Sequence, residues 1–180
     1  MNDMKITSLR RLSQTALLAA VYAALTMCLS FMSYGPVQFR LAEALCALPF
    51  LFPWTSWGLV LGCLLSNLLS AYGPADIVFG TGATLLACLA TAAIGRGGNR
   101  RSWLRILAGC MMPVVCNAVI VGAVISWAET DLFATGAFWP AFAFNAVSVG
   151  AGELTVMLLL GVPLLRWLPE SGLMRRFSAA

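Results

Sequence analysis

The stretch IVFGTGATLLACLATAAI, residues 77–94, runs without a charged side chain and is followed at once by GRGGNRR, residues 95–101. An uninterrupted apolar run of roughly 20 residues is what a helix needs to cross a hydrocarbon layer, and a glycine-rich basic turn after it belongs among headgroups and water. The same alternation recurs along the chain. Ten of its 11 Lys and Arg residues fall in three clusters, Lys5/Arg10/Arg11, Arg96/Arg100/Arg101/Arg105 and Arg166/Arg175/Arg176, and only Arg40 lies elsewhere. Short basic loops stay on the cytoplasmic side, so the clusters predict that both termini and the 95–101 turn face inward.

The 180 residues are 61% hydrophobic and 10% charged, with a mean hydropathy of +0.89. That much apolar surface excludes an ordinary soluble domain and points to a single transmembrane domain over residues 1–180. The net charge of +4 borders apolar segments and suits lipid headgroups, so no nucleic-acid partner is expected. The basic N-terminus precedes an apolar run too long for a signal peptide and without a small-residue cleavage site, which predicts a retained first helix. Six cysteines without C-x-x-C spacing, and no histidine, predict small packing residues rather than a metal site.

The pattern predicts an all-α bundle of six transmembrane helices, at about 14–32, 41–52, 57–72, 77–94, 104–127 and 139–168. Pro49 and Pro53 end or kink the second, which is too short to cross without tilting or continuing past Pro53. An even number of crossings returns the chain to its starting side and leaves Arg40, Asp76, Glu129 and Asp131 external. Trp54 and Trp57 would mark the inner interface, and Tyr34, Tyr72, Trp127 and Trp139 the outer one.

Rising about 1.5 Å per residue, Glu43, Asn67, Asn117, Asn145 and Glu153 all come to the outer half, whereas the inner halves offer mainly Leu, Ala, Val, Ile and Gly. Thr91 can satisfy its hydroxyl on its own helix backbone. A channel needs wettable lining through its full depth, so this distribution predicts an outward cavity over an apolar floor. Arg40 and Glu43, three residues apart, can form an ion pair or line that cavity. Asp76 suits a helix cap, and the asparagines suit either ligand contact or helix–helix hydrogen bonds. Without a G-x-x-x-x-G-K-[ST] loop, ATP would have to be used by a separate partner. Ala16, Ala20 and Ala24 recur every four residues, with Ala19 and Ala23 on the adjoining stripe, a spacing that lets another helix approach closely.

The segment Ser33-Tyr-Gly-Pro-Val-Gln-Phe-Arg-Leu-Ala-Glu-Ala-Leu45, followed by Leu48-Pro49-Phe50, closely resembles the signature of the queuosine precursor transporter family, QueT. Gly62, Ser66-Asn67-Leu68-Leu69 and Asp76-Ile-Val-Phe-Gly-Thr-Gly-Ala-Thr-Leu-Leu-Ala87 continue the likeness in order, and Asn145 and Glu153 extend it into the sixth span. Residues 96–139 add little.

The resemblance implies the substrate-binding (S) component of an energy-coupling factor (ECF) importer in a bacterial cytoplasmic membrane. It would have six helices, no enzymatic activity and no cofactor. Its partners would be a transmembrane coupling protein and two ATPases, met through Ala16, Ala19, Ala20, Ala23 and Ala24. The implied solute is a 7-deazaguanine such as queuine or preQ1. Glu43 or Glu153 would accept its adjacent N–H groups, with Arg40, Asn67, Asn117 and Asn145 as further polar contacts. Phe39, Tyr72, Trp127 or Trp139 would stack on its flat ring. The competing readings are an S component for another flat vitamin-like solute, an intramembrane enzyme using Glu43 and Glu153, and a purely structural membrane subunit.

Overall fold

A computed structural model describes residues 2–29, 39–70, 72–130 and 135–171, and every regular element among them is helical. Tyr34 and Asp131, expected at the outer face, lie outside the described residues. Six helical rods follow one another: α1 (Asn2–Cys28), α2 (Leu41–Phe50), α3 (Thr55–Asn67), α4 (Gly73–Arg96), α5 (Trp103–Glu129) and α6 (Gly136–Trp167). By length and composition α4, α5 and α6 can each cross a membrane, which makes the chain a multi-pass membrane protein.

Three boundaries differ clearly from expectation, the first helix starting at Asn2 rather than near Gln14. The third helix stops at Asn67 rather than Tyr72, and the fourth starts at Gly73 rather than Ile77. Gly73 has φ +62°, a left-handed conformation that glycine adopts without steric cost, so the chain reverses there and Tyr72 belongs to the turn. Asp76 consequently lies inside α4, in a π turn over Asp76–Gly80, and makes no capping hydrogen bond. A second π turn, Met157–Gly161, interrupts α6.

α2 is a ten-residue 3-10 helix in contact with all five other rods. That geometry is rarely longer than a turn or so, and tertiary burial sustains it here: eight of the ten residues are buried. Its last residue, Phe50, is wedged where only glycine fits. A Cβ on Gly95 would strike the Phe50 carbonyl oxygen, and one on Gly109 would lie 2.8 Å from the Phe50 ring. Around Phe50 the apolar core gathers Leu48, Ile106, Cys110, Val114, Met157 and Leu165. Thr91 closes this region by donating to the Gly109 carbonyl at 3.0 Å, so it ties α4 to α5 instead of bonding its own helix.

α1 and α3 pack backbone against backbone through Gly58 and Gly62, which stand four residues apart. A Cβ on Gly62 would fall 2.7 Å from both the Ala19 carbonyl oxygen and the Tyr22 Cβ. Ala19 therefore faces α3 and Ala23 is likewise buried, while Ala16, Ala20 and Ala24 stay exposed.

Gly62→Ala should lower the melting temperature of the detergent-purified protein, with an overpacking cost of about 1–3 kcal/mol. Gly82→Ala, where an added Cβ meets nothing within 4 Å, should be neutral or slightly stabilising in the same melt.

Candidate functional site

The polar side chains at the start of α2 meet hydrogen-bond partners from α1 and α4. Arg40 immediately precedes α2 and is 4% exposed, and Glu43 in its first turn is 0% exposed. The Tyr22 hydroxyl of α1 donates to Glu43 Oε1 at 2.5 Å. Arg40 Nη2 reaches Asp76 Oδ2 of α4 at 3.4 Å. The ion pair seen at this level is thus Arg40–Asp76, and Glu43 is held instead by a tyrosine.

Asn67, at the end of α3, fixes the π turn that carries Asp76. Its Nδ2 donates to the Asp76 carbonyl at 3.1 Å and lies 3.4 Å from Thr81 Oγ1. Gly80 makes this arrangement possible, since a Cβ there would collide with Asp76 Oδ1 and sit 2.9 Å from Asn67 Nδ2. π turns often occur at functional positions because the extra residue re-aims a side chain, and here the side chain re-aimed inward is a carboxylate.

Asn117 of α5 and Glu153 of α6 complete the cluster. Arg40, Asn117, Val121, Val149 and Glu153 line one pocket, with about 190 Å³ between atoms but too finely divided to take a water molecule. The charges of Glu43 and Arg40 both act on Glu153. Asn117 lies beside Glu153 without meeting hydrogen-bond geometry. Tyr72 packs on the apolar wall that contains Val121 and Val149.

Several buried polar atoms of this cluster lack a hydrogen-bond partner: Glu43 Oε2, Asn67 Oδ1, Asp76 Oδ1, both amide atoms of Asn117 and Glu153 Oε1. Each such atom costs about 1–3 kcal/mol, more when charged, so their concentration makes this cluster the candidate site.

Not every residue singled out in the sequence arrives here. Asn145 donates to Ser126 Oγ at 3.1 Å and to Glu129 Oε2 at 2.9 Å, fastening α6 to α5. Trp127 is 48% exposed on a separate apolar groove with Phe79, Val124 and Phe138. Trp139 is 69% exposed and packs edge-on against Phe138 and Phe142. Phe39 is half-buried next to Arg40. Conversely, sequence reasoning missed Tyr22 and assigned Asp76 to a cap. Tyr22 was detectable as the one hydroxyl-bearing aromatic on the otherwise small-residue face of α1.

A family model described as QueT transporter matches residues 12–170. The chain is also 40% identical over 73 residues to the queuosine precursor transporter QueT of Lactococcus lactis subsp. cremoris. That alignment covers 39% of this chain and 43% of the relative. No solved structure matches.

Tyr22→Phe strands both oxygens of a buried carboxylate and should destabilise the protein by about 1–3 kcal/mol in thermal or denaturant unfolding. In a Glu43→Met background the same change should cost little, so the double-mutant cycle isolates the hydroxyl–carboxylate pair.

Proposed function

The chain belongs to the QueT transporter family, and on that premise we propose that it is the substrate-binding component of an ECF importer, capturing a queuosine precursor such as queuine or preQ1. One observation carries the reading: Arg40, Asn117 and Glu153 line one pocket walled by valines, where both amide atoms of Asn117 and a carboxylate oxygen of Glu153 lack hydrogen-bond partners.

The chemistry of a 7-deazaguanine fits that inventory. Its ring N–H and exocyclic amino group lie side by side and suit bidentate acceptance by Glu153 or Glu43, whose free oxygens need donors. Its carbonyl needs a donor, which Asn117 Nδ2 or Arg40 can supply. The cationic arm of these bases favours a second carboxylate, and the cluster has Asp76 as well as the two glutamates. Tyr72, on the same wall as Val121 and Val149, is the aromatic positioned to flank the ring. In this compact state the pocket does not admit a planar base, so binding involves separation of α5 from α6 near Asn117 and Glu153.

In this reading α1, α2 and α3 complete six crossings, both termini are cytoplasmic and the pocket opens outward. Beneath it the packed core around Phe50 offers no polar route. Import then takes work from a coupling module of one transmembrane protein and two ATPases. Ala16, Ala20 and Ala24, exposed on α1, form its docking face, whereas Ala19 and Ala23 are buried, Ala19 against α3.

Glu153→Gln should weaken binding of a 7-deazaguanine to the purified chain by about 10- to 100-fold, the worth of one charge-assisted hydrogen bond. Co-purification with the coupling module should persist. Unchanged affinity removes Glu153 from the site, and a panel of guanine, queuine, preQ1 and flat vitamins ranks the solutes by thermal stabilisation. Ala20→Leu should do the opposite, abolishing co-purification and uptake while leaving solute affinity intact. Survival of both would place docking elsewhere.

A further inference from the structure

At the opposite end of the bundle from the polar pocket, Arg100, Arg101 and Arg166 converge with Glu170 on a second cleft of about 170 Å³. It has room for a phosphate group, a water's share of liquid volume being about 30 Å³. Three guanidinium groups face one carboxylate there, leaving an excess of positive charge.

Two of the arginines are held by neutral groups, so their positioning does not cancel their charge. Arg100 Nε donates to the Gly95 carbonyl at 3.1 Å and its Nη1 to the Leu51 carbonyl at 3.4 Å. The Arg166 guanidinium lies 4.2 Å from the centre of the Trp103 ring. Arg101 extends, exposed, from the turn. A preorganised guanidinium loses less rotamer freedom on meeting an oxyanion, and its fork matches two phosphate oxygens.

The surroundings distinguish which anion fits. Ile106 and Leu165, both in the apolar core, form the greasy side of the same cleft. Trp103 and Trp167, 51% and 59% exposed, flank the level where apolar helix gives way to the basic turn, as interfacial tryptophans do. A cleft basic on one side and apolar on the other, at the rim of a membrane-embedded bundle, suits a charged head attached to hydrocarbon better than a wholly soluble ion.

We propose that this cleft binds the phosphodiester headgroup of an anionic phospholipid. Arg100 and Arg166 are the fixed contacts and Arg101 closes over them from the turn. The site would anchor the α4–α5 turn to the end of α6 and set the depth of the bundle in the bilayer.

The test uses the full chain purified in mixed micelles with phosphatidylcholine alone, or with added phosphatidylglycerol or cardiolipin. Either anionic lipid should raise the melting temperature above that in phosphatidylcholine, and the double variant Arg101→Gln/Arg166→Gln should lower apparent lipid affinity about thirtyfold. Because both side chains are exposed, melting of that variant in phosphatidylcholine should be unchanged. A companion pair, Arg101→Lys/Arg166→Lys, should keep part of the response and serves if the glutamine variant does not fold. An anionic-lipid shift that survives the glutamine substitutions overturns the proposal. Protection by inorganic phosphate through the same arginines, with no gain from lipid, replaces the lipid by a soluble anion and also overturns it. So does a glutamine variant with normal lipid response that fails to assemble with the coupling module, which would make the cleft a protein-docking site.

Discussion

Arg40, Glu43, Asp76 and Glu153, each at most 4% exposed, are the buried charged side chains among the described residues. Stripping such groups of water costs several kcal/mol apiece unless partners replace the lost hydration. The bundle therefore cannot close around them by apolar packing alone. α2 has to enter with Arg40 leading, α4 has to turn Asp76 toward that guanidinium, and α1 has to put a hydroxyl where Glu43 ends. Of the atoms these contacts leave unsatisfied, those of Asn117 and Glu153 line one pocket, while Glu43 Oε2, Asn67 Oδ1 and Asp76 Oδ1 belong to the surrounding polar cluster.

The glycines follow from the same requirement. Polar side chains are short relative to the usual gap between helices, so their backbones have to come close before the atoms meet. Gly62 lets α1 approach α3 until Tyr22 reaches across to Glu43, and Gly80 leaves space for Asp76 Oδ1 beside Asn67. At the other end Gly95 and Gly109 receive Phe50. α2 is thus held by polar contacts at its first turn and by shape at its last, which accounts for a short helix being able to organise five longer partners.

The broad architecture was legible because hydropathy reports burial in lipid directly: the long apolar runs at 77–94 and 104–127 fall within the observed α4 and α5, with ends displaced by a few residues. Glu43, Asn67, Asn117 and Glu153, which helical rise put at similar depths, are all buried polar residues of the one cluster. The other positions were harder to read. Asn145 lies two turns from Glu153 along α6, about 12 Å at the helical rise, and bonds Ser126 and Glu129 there, while Trp127 and Trp139 point away from the cluster. Asp76 was misread because its role depends on a π turn, a one-residue insertion that leaves no mark in a hydropathy profile. Ala19 and Ala23 could be separated from Ala16, Ala20 and Ala24 only once Gly58 and Gly62 of α3 were known to lie against α1 at Thr15, Leu18, Ala19 and Tyr22.

That division of α1 into two faces bears on how a solute could be released. One face carries Tyr22, whose hydroxyl holds Glu43 in the polar cluster; the other carries the exposed alanines on which, in the proposed reading, a coupling partner sits. Between the pocket and the far end stands a close-packed plug around Phe50, and close-packed interiors do not deform by small continuous steps. A solute leaving through that plug would require its helices to separate, whereas one leaving with the whole bundle tipped would not. Contact made along the full exposed face of α1 acts on the rigid α1–α3 pair as a unit, so it can reorient the bundle without opening its core. In the proposed reading, the architecture therefore favours release by reorientation of the subunit over release through a pore.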